Sequence, residues 1–131
     1  MNRLKQMAKE AATKAYVPYS KFPVGAALSL SGTGLAGEFI QGCNVENASY
    51  PMSICAERNA LVQAIAKGVE PGTLKEIAIY MPGEKLYSPC GACRQVIAEL
   101  MAKDAVVYAY CDTEEEKRWT VSELLPDGFE F

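Results

Sequence analysis

Apolar residues recur at helical spacing over residues 2–14, where Leu4, Met7, Ala8, Ala11, Ala12 and then Ala15 share one side. Pro18 and the Tyr19-Ser20-Lys21 segment end that helix. Two extended runs follow, Val24–Leu30 and Leu35–Val45, joined by Ser31-Gly32-Thr33-Gly34, which reads as a hairpin turn. Pro51-Met52-Ser53 introduce a helix over Ile54–Lys67, closed by Gly68 in the usual C-terminal place. A Pro71-Gly72 turn precedes a strand over Lys75–Met81. Ser88-Pro89-Cys90-Gly91 lead into a helix that the pattern carries through Lys103, and Ala105–Cys111 is a further strand. A fifth strand candidate lies near Glu116–Thr120. Thr120-Val121-Ser122-Glu123 has capping-box spacing and starts a short helix ended by Pro126. The order αββαβαβα predicts a sheet layered with helices.

With 131 residues and no linker or low-complexity tract, the chain reads as one domain, residues 1–131. No apolar run approaches the roughly 20 residues that cross a bilayer. Met1–Lys14 lacks the apolar core of a signal peptide, so the expected location is the cytoplasm, with no membrane partner. The net charge of −3 counts against a nucleic-acid partner, whose phosphates call for a basic surface. Five cysteines and no histidine change the picture most. An odd cysteine count argues against a disulfide framework. Any metal site must use thiolates and carboxylates.

Two short segments carry candidate chemistry. Cys55-Ala56-Glu57 occupies the first turn of one helix, and Pro89-Cys90-Gly91-Ala92-Cys93 begins another. Three thiolates leave one position of a four-coordinate zinc open, as catalytic sites do, and no further Cys-x-x-Cys pair exists to close it. Both helix starts direct partial positive charge at the sulfurs, which favours thiolates. Zinc with three thiolates still carries a formal −1. Arg58, three residues after Cys55 on the same helical face, is the group expected to donate to the sulfurs and restore Lewis acidity. Glu57 is not needed as a ligand and is the candidate proton shuttle. Two plainer readings compete: buried core thiols, or a redox pair at Cys90 and Cys93 that leaves Cys55 and Glu57 unexplained. Cys43 and Cys111 lie in strand-like runs and read as core. Gly32-Thr33-Gly34-Leu35-Ala36-Gly37 fits the dinucleotide fingerprint, but a strand follows where that motif needs a helix.

Cys-Ala-Glu followed by Pro-Cys-x-x-Cys resembles the cytidine deaminase family in its small, three-cysteine form. Tyr19-Ser20-Lys21-Phe22-Pro23-Val24-Gly25-Ala26-Ala27, Gly42-Cys43-Asn44-Val45-Glu46-Asn47-Ala48 and Leu124-Leu125-Pro126 are similar to further family segments, so the resemblance spans nearly the whole chain. It implies a three-layer α/β/α domain around a mixed sheet of about five strands. It implies one zinc per subunit on Cys55, Cys90 and Cys93, and hydrolysis of the 4-amino group of cytidine or deoxycytidine, as in pyrimidine salvage. Glu57 would accept a proton from the attacking water, protonate ring N3, and pass a proton to the departing amine. The resemblance places Phe22 beside the base, Asn44 and Glu46 on the ribose hydroxyls, and the backbone around Ala56 and Glu57 on the pyrimidine carbonyl and ring nitrogen. It also implies a homotetramer in which Tyr50 and Phe129 reach neighbouring sites. Without it, Phe22 reads as core, Asn44 and Glu46 as a solvated strand face, Tyr50 and Phe129 as packing aromatics, and Arg58 as an exposed helix charge. A polynucleotide-editing deaminase, a non-catalytic zinc or redox protein, and a deaminase of the antibiotic blasticidin are the rival functions.

Overall fold

The computed structural model describes residues 2–35 and 37–130. Its frame is a five-stranded mixed sheet in the order β2-β1-β3-β4-β5. In chain order, α1 spans Asn2–Ala12, β1 Gly25–Ser29, β2 Phe39–Cys43, α2 Ala56–Ala66, β3 Leu74–Tyr80, α3 Gly91–Leu100, β4 Met101–Tyr110, β5 Glu116–Thr120 and α4 Val121–Leu124. β1 pairs antiparallel with both β2 and β3, and β4 pairs antiparallel with β5. Only β3 and β4 are parallel, with α3 as the crossover between them.

Side chains alternate across the sheet and divide the core in two. Ala27, Ala78 and Tyr80 face α1 with Leu4, Ala8 and Ala12. Ala26, Leu28, Ile77, Ile79 and Val107 point the other way, into the larger core completed by α2, α3 and α4. The three-layer α/β/α expectation is met, including the fifth strand. Alanines on β1 let helices approach from both sides. At two glycines the approach is closer still: a Cβ at Gly25 would lie 1.8 Å from the Ala8 carbonyl oxygen of α1, and one at Gly42 2.7 Å from the Ala56 carbonyl oxygen of α2.

Several boundaries differ from expectation, three of them instructively. β2 begins at Phe39 rather than Leu35, because Glu38 N–H bonds back to the Leu35 carbonyl in a turn; Ala36 lies outside the described residues. α1 stops at Ala12, ahead of Pro18, as Thr13 and Lys14 form a turn. α3 stops at Leu100, not Lys103, and β4 starts at once. Met101 is extended (φ −96°, ψ 164°), buried, and paired with Leu74. No glycine or proline marks this stop; burial of Met101 and Ala102 beside β3 overrides the helical pattern. α4 has the full capping box, with Thr120 Oγ1 accepting from Glu123 N–H and Glu123 accepting from Thr120 N–H.

Candidate active site

Cys55 is the N-cap of α2 and Cys90 the N-cap of α3, positions that usually carry serine, threonine or aspartate. Cys55 makes no side-chain cap bond, and Cys90 Sγ accepts from Cys93 N–H at 3.4 Å. A short pair of backbone bonds between Val45 and Ile54 holds the start of α2 against the end of β2, and so sets Cys55 beside Asn44. The three sulfurs converge. Cys90 Sγ lies 3.3 Å from Cys93 Sγ and 3.9 Å from Cys55 Sγ, and all three lie within 4.8 Å of one another. Ligands at a zinc–sulfur distance of about 2.3 Å in tetrahedral geometry stand about 3.8 Å apart. The donor set fits zinc with little rearrangement. Among the described residues, no other group of three such donors is present.

Charge in the cluster is unevenly held. The Cys55 thiol is brought down to about 5, first by the hydrogen bond from Cys93 and then, against its burial, by Arg58. Cys93 is pushed up, first by serving Cys55 and then by its own burial. Three thiolates this close repel one another, so a divalent cation is what would hold all three deprotonated. Arg58 Nη2 reaches Cys55 Sγ at 3.8 Å and the Ser53 carbonyl at 3.2 Å. The expected sulfur contact is therefore present, and it is the leading cause of the raised Arg58 pKa.

Glu57 is the one buried charged residue among the described residues, 6% exposed. Burial, more than any neighbour, raises its pKa and favours the protonated form. It opens on a cavity of about 220 Å³ that also meets Cys55, Cys90, Ala56, Phe22 and Asn44. Val24, Ile79 and Met81 make the walls apolar, the last two from the carboxyl end of β3, where ligand crevices of parallel strands lie. Tyr87 closes one side, edge to face with Phe22 (centroids 6.1 Å apart, planes at 85°). The sequence reading passed over Tyr87, Ser88 and Met81. The signal was Tyr87 and Ser88 directly ahead of Pro89-Cys90, on the loop that must enter the site.

The remaining expected residues divide. Asn44 borders the cavity, but its amide is occupied: Oδ1 accepts from Val24 N–H and Nδ2 donates to the Phe22 carbonyl, both at 2.9 Å. Glu46 accepts from the N–H groups of Tyr19 and Ser20 and from the Ser20 hydroxyl. Together they shape the loop that presents Phe22, in which Lys21 takes a positive φ of 58°. Glu46 lines a separate surface hollow with Tyr19, Tyr50 and Ser53. Tyr50 is 70% exposed and packs on Tyr19; Phe129 is 73% exposed and lines a separate hollow with residues of α3 and α4. Within one chain neither Tyr50 nor Phe129 joins the cavity.

The family model described as "Cytidine and deoxycytidylate deaminase zinc-binding region" matches residues 1–109. The cytidine deaminase of Sporosarcina psychrophila is 46% identical over 121 residues, 92% of this chain and 85% of that protein. The crystal structure of cytidine deaminase from Burkholderia pseudomallei superposes with a TM-score of 0.90 at 43% identity, covering 98% of each chain. That of the Mycobacterium tuberculosis enzyme does so at 0.80 and 34% identity, over 99% of this chain and 97% of the other. The thiol cluster, the buried glutamate and these matches agree, and the chain belongs to the cytidine deaminase family of zinc-dependent hydrolases.

Proposed function

We propose that this chain hydrolyses cytidine and 2′-deoxycytidine to uridine and 2′-deoxyuridine, releasing ammonia. The observation that carries this reading is a buried glutamate sharing one apolar cavity with Cys55 and Cys90, two of three convergent cysteine sulfurs. Cys55, Cys90 and Cys93 would hold one zinc per chain; when bound, it supplies Lewis-acid activation of water. Glu57 takes the proton that this water loses. It passes that proton to ring N3 and then carries the second proton of the added oxygen to the leaving amine, and its burial favours the protonated form between the two transfers. Arg58 offsets the sulfur charge from outside the cavity. Phe22 and Tyr87 flank the flat base, and Ala56 offers backbone at the positive end of α2. Asn44 and Glu46 serve the sugar, either directly or through the Phe22 loop they hold.

Residues 1–131 act as one domain in this reading. Exposed Tyr16, Tyr19, Tyr50, Met52, Ile54 and Phe129 suit a homotetramer in which Tyr50 and Phe129 reach neighbouring cavities. Five unpaired cysteines suit a reducing cytoplasm and a role in salvage. No helix of the described residues is long and apolar enough to cross a membrane.

The test is loss of cytidine absorbance by zinc-loaded protein, with ammonia counted in parallel. One ammonia per uridine is expected. Glu57→Gln should retain zinc and lose nearly all turnover; a fully active variant refutes the role of Glu57. Native mass spectrometry should find the tetramer, and a monomer alone would remove the inter-subunit role of Tyr50 and Phe129.

A further inference from the structure

The three sulfurs are not equally secured. Cys93 is buried within the first turn of α3, and Cys55 is half-buried with Arg58 against it. Cys90 is exposed, and the residues after it, Gly91 and Ala92, are exposed as well. A Cβ placed on Gly91 would meet nothing within 4 Å, so no packing from that side fixes the loop. What fixes it lies on the other side. Arg94, half-buried in the first turn of α3, reaches back over its own helix start. Its Nε donates to the Pro89 carbonyl at 2.8 Å and its Nη2 to the Ser88 hydroxyl at 2.6 Å. Its Nη1 donates to the Leu124 carbonyl at 2.9 Å, the last residue of α4.

We propose that Arg94 is a positioning residue for the metal-binding loop, holding Cys90 in register with Cys55 and Cys93 and tying that loop to the C-terminal helix. The proposal rests on the reading of the three cysteines as a metal site. An ordinary helix-surface arginine is solvated or paired with an acid; none of the five ion pairs among the described residues includes Arg94. Instead its rigid fork meets three acceptors on two segments, two of them in the residues immediately before Cys90. A lysine has the charge but a single ammonium, and cannot span all three. The Leu124 carbonyl is also one of the groups a helix C-terminus leaves without an internal partner, so the bond serves both ends. The expected effect falls on metal retention and turnover together, because groups that orient ligands typically carry 10–100-fold in either.

The experiment compares wild type with Arg94→Gln, Arg94→Lys and Ser88→Ala. Its readouts are zinc release to a chromophoric chelator, the visible spectrum of the cobalt-substituted protein, and kcat and KM separately. Both Arg94 variants should release zinc about 10–100-fold faster, shift the cobalt bands, and lose kcat more than KM. Ser88→Ala, lacking one acceptor, should do the same to a smaller degree, and it decides the matter if neither Arg94 variant folds. Variants with a lowered melting temperature but wild-type zinc release and cobalt spectrum would reduce Arg94 to a packing bond and overturn the proposal. If wild type itself takes up no thiolate-bound cobalt, the metal reading falls and the Arg94 proposal with it.

Discussion

Replacing Gly42 by alanine tests how the sheet positions the site. Gly42 lies buried on β2 directly beneath the first turn of α2. A Cβ there would stand 2.6 Å from Ala60 N, 2.7 Å from Ala56 O and 2.9 Å from Ala60 Cβ. Those atoms are backbone or a short side chain, so no rotamer change relieves the contact. Restoring ordinary separations of about 3.4 Å requires α2 and β2 to part by roughly 0.8 Å. Overpacking of this kind costs about 1–3 kcal/mol. For a domain of this length that is a fall in Tm of about 3–15 °C. The second consequence is functional. Ala56 is flanked by Cys55 and Glu57, so moving its carbonyl moves the Cys55 sulfur and the buried Glu57 carboxyl together. A displacement near 1 Å at such a site typically costs about 100-fold, so kcat should fall by roughly 10–100-fold. Calorimetry and steady-state cytidine turnover read the two effects. Gly34→Ala is the control: its Cβ would meet nothing within 4 Å, and it should be neutral or stabilising by less than about 1 kcal/mol. Wild-type Tm and kcat in Gly42→Ala would refute the claim that the β2–α2 approach sets the site.

Arg58→Gln should keep zinc but turn over more slowly, because the Cys55 sulfur loses the cation 3.8 Å away; zinc content with wild-type kcat would show the contact to be idle. Thr120→Ala removes the side-chain half of the α4 capping box and should cost about 1 kcal/mol by denaturant titration, whereas an unchanged midpoint would mean α4 is held by packing alone. Asp112 is held below the usual carboxylate range first by the Tyr80 hydroxyl at 2.6 Å and then by Gly83 N–H, with Lys9 also near. Its folded pKa is depressed, so its contribution is full above the unfolded value of about 4 and is lost as pH falls through the folded one. The stability gap between wild type and Asp112→Asn should therefore be open at pH 6–7 and close below about pH 4; a gap constant down to pH 3 would assign it to shape.

Elements with local signals were legible in the sequence. The helix α2 behind Pro51 and the Thr120–Glu123 box are set by residues within a few positions of one another. The end of α3 was not, because its cause, burial of Met101 against Leu74 of β3, lies 27 residues away in the chain. The same division holds at the site. Cys55, Cys90, Cys93 and Glu57 stand in short motifs whose spacing speaks for itself. Tyr87 contributes by facing Phe22 across a cavity, and Arg94 by three acceptors on two segments, which no spacing encodes. Asn44 and Glu46 were found only through the family pattern, and their bonds to the Phe22 loop depend on the fold.

The separation of Cys55 from Cys90 has a consequence for the unfolded chain. The two positions are 35 apart in the chain, enclosing α2, β3 and the loop before α3. An ion gripping both sulfurs is a cross-link as well as a reagent, and closing a span of that length withdraws about 4 kcal/mol of entropy from the denatured ensemble. Metal-free protein should thus keep its sheet, whose core does not involve the sulfurs of Cys55 or Cys90, yet unfold at lower denaturant. Metal availability during synthesis would then govern how much of the chain survives to be folded, before any question of how fast it turns over.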